Sequence, residues 1–210
     1  MTCPFVDIHT HNFREDIICF LSLEVGESVP ELCENFTRGV HPWRPSLEDV
    51  SSLDLTGVKA VGEIGLDYSL ADFDKQLQME VFTRQLALAK KYDLPVVIHC
   101  VKAFNDVLAQ LKLYDIKHVI FHSFTGSLPM VKSLVELGCY ISLSDRSLFS
   151  VKTINALKEM SEAKILLETD ESFCLVEQIY DSASEKLGID LDTLKERIFK
   201  NYKTIFYGEK

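Results

Sequence analysis

The sequence predicts a compact (β/α)8 barrel, a single domain over residues 1–210, and three observations predict it. Short apolar runs alternate with helical patterns along the whole chain. Many of those runs are apolar on both faces, as strands of a parallel sheet covered by helices are. Polar residues able to do chemistry recur at the ends of the runs, and a barrel gathers such ends at the C-terminal face of its sheet. A doubly wound open sheet is the rival topology, but it predicts no convergence of the ends of strands 1, 4, 5, 6 and 8.

The strand candidates are residues 5–9, 17–23, 38–41, 58–66, 95–99, 119–124, 139–143 and 165–169. The clearest helix covers 74–92, where Leu77, Val81, Leu88 and Tyr92, joined by Phe82, Leu86 and Ala89, follow helical spacing. Asp93-Leu94-Pro95 ends it and starts the next strand, because proline cannot continue a helix. Further helices fit 104–113, 129–137, 151–160, 175–187 and 191–207, the last behind a plausible N-cap at Asp190. About 250 residues is typical of the fold, so a chain of 210 is short. The shortage falls in the first third, where 28–36 has room for only about two helical turns. No linker, internal repeat or low-complexity segment interrupts the pattern.

Hydrophobic residues make up 47% of the chain and charged residues 26%, the balance of a globular protein with a full core. No apolar run reaches the length of a membrane span and no leader pattern opens the chain, so a cytoplasmic protein is expected. The six cysteines, at 3, 19, 33, 100, 139 and 174, form no C-x-x-C pair and read as buried thiols of a reducing compartment, not as a disulfide frame or zinc cluster. A net charge of −10 without a basic stripe argues against a protein that coats duplex DNA by bulk electrostatics. It does not exclude an enzyme that acts on nucleic acid, since bound divalent ions attract phosphate locally.

Strand 1 carries DIHTH, which puts Asp7, His9 and His11 on one face with the imidazoles about 6.8 Å apart along the strand. An H-x-H pair alone is a weak sign of metal binding. Strand 3 ends in His41 within GVHPW, strand 4 carries Glu63, and strands 5, 6 and 8 end in His99, His122 and Asp170. Each has a plain alternative: a satisfied core histidine for His99, a lysine partner for Glu63, a turn or N-cap for Asp170. Their coincidence at one end of a barrel argues against accident. Histidines and carboxylates together suit two divalent metal ions of the zinc, magnesium or manganese type. His118 falls at the start of strand 6, on the opposite face, and reads as structural.

At these residues the chain resembles the TatD family of metal-dependent deoxyribonucleases, within the amidohydrolase-type barrels. The matching stretches are DIHTH, GVHPW, VGEIGLDY, QMEVFTRQLALAKKYDLP, VVIH, FHSFTGS, LLETD and NYKTIFYG, in family order from residue 7 to 208. The resemblance implies that His9, His11 and Asp170 hold one metal. His99 and His122 would hold the other, with Glu63 bridging and His41 meeting the substrate phosphate. Three departures stand out. Val101 occupies the place of a family arginine, with Lys102 beside it as a non-bidentate substitute. Glu171-Ser172 follow LLETD where the family often has a small residue and proline, and the first βα units are shortened. None of these touches a metal ligand.

The implied function is hydrolysis of a phosphodiester bond in DNA from an end of a single strand, with Asp170 as general base and Glu63 as the second catalytic carboxylate. His41, Lys102 and Arg146, the last just past strand 7, are the candidate phosphate contacts. Asp7 and Glu168 could each orient an imidazole or simply be hydrogen-bonded interior acids. Phe124, Trp43 and Phe173 could stack on a base or pack the wall. Two other functions remain open on the sequence: an ester or amide hydrolase, such as an aminoacyl-RNA deacylase, and a non-catalytic metal-binding module.

Overall fold

The structure, a computed structural model, describes residues 3–72 and 74–209. Among the described residues there are eight strands: β1 (Val6–Thr10), β2 (Ile18–Glu24), β3 (Phe36–Gly39), β4 (Ala60–Asp67), β5 (Val96–Val101), β6 (Val119–Phe121), β7 (Tyr140–Leu143) and β8 (Lys164–Leu167). They neighbour one another in chain order in one eight-stranded sheet. Between and after them run α1 (Leu47–Ser51), α2 (Lys75–Tyr92), α3 (Phe104–Tyr114), α4 (Leu128–Glu136), α5 (Asp145–Phe149), α6 (Val151–Glu159), α7 (Val176–Leu187) and α8 (Leu191–Tyr207). This is the element order of a (β/α)8 barrel with its first βα units cut short. The chain divides into two compact units, Leu21–Ile120 and the remainder, Met1–Phe20 with Phe121–Lys210.

In the unit Leu21–Ile120, β2 to β5 pair in parallel. All eight residues of β4 are buried, which explains why its sequence shows no alternation. Helix α2 covers this sheet with Phe82, Leu86 and Ala89, each fully buried. Its N-cap is Asp74, whose side chain accepts from the Leu77 amide, and Asp93 closes it in the left-handed conformation. Two polar residues of α2, Gln78 and Gln85, are also buried. Gln85 brackets Val40, accepting from its amide and donating to its carbonyl. Gln78 accepts from the Asp67 amide and donates to the carbonyls of Asp67 and Pro42. Backbone that leaves the sheet at the ends of β3 and β4 thus finds its partners on the helix.

In the other unit, β7 and β8 pair in parallel over four residues. β1 joins β8 through the Asp170 amide, which donates to the His9 carbonyl, and the His11 amide, which donates to the Asp170 carbonyl. The Tyr180 hydroxyl of α7 accepts from the Val6 amide and donates to its carbonyl, completing the base of β1. Asp190 caps α8 by accepting from the Thr193 amide, as its position predicts.

Two helices escape the sequence reading, α1 and α5, each of five residues and too short to show a period. Residues 28–35 hold no helix, although the spacing left room for two turns. Pro30 and the lack of an apolar period account for this. The cysteines are all free thiols, but only Cys19, Cys33 and Cys139 are buried as the sequence predicts; Cys3 and Cys100 are half-buried and Cys174, in the loop before α7, is exposed. Burial pushes Cys100 and Cys139 up to about 12, which keeps them protonated and inert.

Candidate metal centre

The carboxyl ends of β1, β6 and β8 carry one set of side chains. His9 is fully buried on β1, and His11 follows it. After β8 the chain continues Glu168, Thr169, Asp170. Asp170 has φ +56°, a left-handed conformation that aspartate tolerates better than most residues. Its carboxylate oxygen Oδ1 lies 3.8 Å from His9 Nε2 and 3.9 Å from His11 Nε2. Those spacings are too long for hydrogen bonds and suit donors that share one ion. His122 packs 4.6 Å from the His9 ring, centroid to centroid. Its Nδ1 is 3.3 Å from Oε1 of the fully buried Glu168, which accepts from the Ser123 amide at 2.5 Å. Glu168 is thus a hydrogen-bonded interior acid that stands beside the His122 imidazole.

Asp7 does something else. Its carboxylate accepts from the Thr169 amide at 3.0 Å and from the Thr169 hydroxyl at 2.6 Å, and so anchors the turn that presents Asp170. Burial raises Asp7 to about 7, against the lowering effect of the two Thr169 bonds. The folded chain then binds a proton that the unfolded chain releases near the ordinary carboxylate value. Stability from this group is present below about pH 4 and is lost as pH rises to about 7. In the metal-free protein, Asp7→Asn is expected to gain stability relative to wild type over that interval. Urea midpoints at pH 5 and pH 8 check it, and a constant difference between the two chains would sink the assignment.

A second set stands at the ends of β3, β4 and β5. Glu63 Oε1 lies 2.7 Å from His99 Nδ1 and 3.0 Å from His41 Nε2. The Trp43 amide donates to His41 Nδ1, which leaves the His41 proton on Nε2, toward Glu63. On the far side of His99, Nε2 is 3.0 Å from Asp67 Oδ2. Asp67 is the residue that the sequence reading missed. Its only signal was a carboxylate closing an apolar strand four residues after Glu63. Burial alone would raise Asp67, but bonds from Ser69, Trp43 and His99 outweigh it and hold the group at about 2. The two carboxylates hold the His99 ring from opposite sides, Asp67 at Nε2 and Glu63 at Nδ1, and so fix its orientation.

Each set offers ligand atoms within 4.8 Å of one another: His9, His11 and Asp170; His122, Glu168 and Asp170; and His41, Glu63 and His99. Imidazole and carboxylate donors at that spacing fit zinc, manganese or magnesium chemistry. Of the remaining candidates, Lys102 and Arg146 are exposed, Lys102 directly after β5 and Arg146 in α5. Phe124 is buried and belongs to the core, so it is no stacking platform, whereas Trp43 and Phe173 are exposed.

The model of the family described as "TatD related DNase" matches residues 18–207. A relative from Escherichia coli (strain K12), "Uncharacterized metal-dependent hydrolase YjjV", is 30% identical over 209 residues, covering 81% of this chain and 80% of its own. The "3'-5' ssDNA/RNA exonuclease TatD" of Klebsiella pneumoniae (strain 342) is 34% identical over 153 residues, 66% of this chain and 57% of its own. Against most such relatives the chain spans only about half of their length. The crystal structure of E. coli YjjV, described as a TatD homolog, superposes with a TM-score of 0.83 at 24% identity over 99% of both chains. That likeness shows the fold, a TatD-type (β/α)8 barrel.

Proposed function

Since the chain belongs to the TatD related DNase family, we propose that it is a metal-dependent phosphodiesterase acting on single-stranded DNA ends, organised as one domain. The observation that carries this reading is the approach of Asp170 to both His9 and His11 at 3.8 and 3.9 Å. In this reading His9, His11 and Asp170 hold one divalent ion. The family resemblance assigns His99 and His122 to a second ion, with Glu63 bridging. Bound divalent metal would lower the pKa of water and neutralise charge on the phosphoryl oxygens. Asp170 would accept the proton of the attacking water at its carboxylate. His41 and the exposed Lys102 and Arg146 would bind phosphate oxygens. No helix among the described residues is long and apolar enough to cross a membrane. A cytoplasmic location is part of the same proposal.

The test is shortening of end-labelled single-stranded DNA by metal-loaded protein, beside a chelator-treated sample. Shortening that chelation abolishes supports the reading; metal-loaded protein that leaves DNA intact overturns it. Two substitutions examine the ligands separately. His9→Ala with His11→Ala is expected to lower bound metal by about one ion per chain, read by elemental analysis, since two of three ligands are gone. Unchanged metal content would remove these histidines from the site. Asp67→Ala is expected to weaken metal binding by about 10–100-fold in a competition titration, the usual cost of losing an imidazole's carboxylate partner. Unaltered affinity would leave Asp67 as an anchor for Trp43 alone.

A further inference from the structure

We propose that Trp43 is a nucleobase-binding residue, a fixed platform on which a base of the substrate strand stacks. The proposal rests on the nuclease reading and deepens it. Trp43 is the only tryptophan in the chain. It is 54% exposed, yet its indole N–H donates at 2.8 Å to Asp67, which is 2% exposed. The polar edge of the ring is thus satisfied inward, and what faces solvent is aromatic surface.

The ring is also held in place from the backbone. The preceding Pro42 carbonyl accepts from the buried Gln78, and the Trp43 amide is bonded to His41 Nδ1. The indole stands edge-to-face with His41, centroids 4.7 Å apart at 83°, and 5.9 Å from the His99 ring. A base on Trp43 would therefore lie beside His41, the candidate phosphate contact. Exposed aromatic surface that is already ordered binds bases without an ordering cost, and it is tolerant of sequence because every base offers a π-face. Phe173, the other exposed aromatic among the sequence candidates, is fully exposed and lacks a buried tether of this kind.

A lone tryptophan reports its own contacts by fluorescence. Oligothymidylate is titrated into the metal-loaded Asp170→Asn chain, beside an abasic chain of the same length and charge, with DNA shortening by wild type measured in parallel. The expected result is saturable quenching by oligothymidylate and little by the abasic chain. Trp43→Ala should raise KM for wild-type cleavage about 5- to 100-fold, and Trp43→Phe, which keeps a ring but loses the tether to Asp67, should recover only part of that. Cleavage with no quenching, or a Trp43→Ala variant with unchanged KM, overturns the platform and leaves the nuclease reading standing. Neither binding nor cleavage of DNA overturns both.

Discussion

Asp170→Asn is expected to lower hydrolysis of single-stranded DNA by about 10²- to 10⁴-fold, the contribution of a positioned proton acceptor. The fold should not change. Asp170 is held by its backbone, whose amide and carbonyl bond to β1, and those bonds do not involve the side chain. Asparagine is also the other residue that adopts φ near +56° at little cost. It keeps an oxygen donor toward His9 and His11 but has no carboxylate to take a proton. The loss should therefore appear in kcat more than in KM. Metal content of the same samples separates this from loss of the ion. Retained metal with activity within about tenfold of wild type would refute the role.

The (β/α)8 order was legible because each strand run is largely buried and each long helix carries an apolar stripe. The clearest case is α2, where Phe82, Leu86 and Ala89 are fully buried positions. The ends of the strands were less legible. β6 stops at Phe121, three residues before the apolar run does, because Ser123 leaves the sheet at φ +41°. The ligand candidates could be read because histidines at strand ends are rare and chemically distinctive. Asp67, Gln78 and Gln85 could not, since their work is to bond backbone and ring nitrogens of residues distant in sequence. Nothing in a local pattern marks such partners.

Gly65→Ala is expected to be among the most damaging single substitutions in the unit Leu21–Ile120. Gly65 has φ +150°, which residues with a Cβ rarely adopt, and an added Cβ would stand 1.9 Å from the His99 carbonyl oxygen. The obstacle is backbone, not a side chain that can swing away. β4 and β5 are in register at Gly65 and His99, so relief requires the strands to part at the residue that presents the imidazole. Glu63 and His99, 2.7 Å apart, would separate with them. The expected cost is more than about 3 kcal/mol, a strained conformation and an overpacked core together. Gly26→Ala supplies the control. It also has positive φ, +84°, but nothing lies within 4 Å of the added Cβ, so only the backbone term of about 1–2 kcal/mol applies. Thermal melts of the two metal-free variants decide the matter. Equal losses would show that β4 can yield at Gly65, and that the close approach of the two strands is not what seats His99.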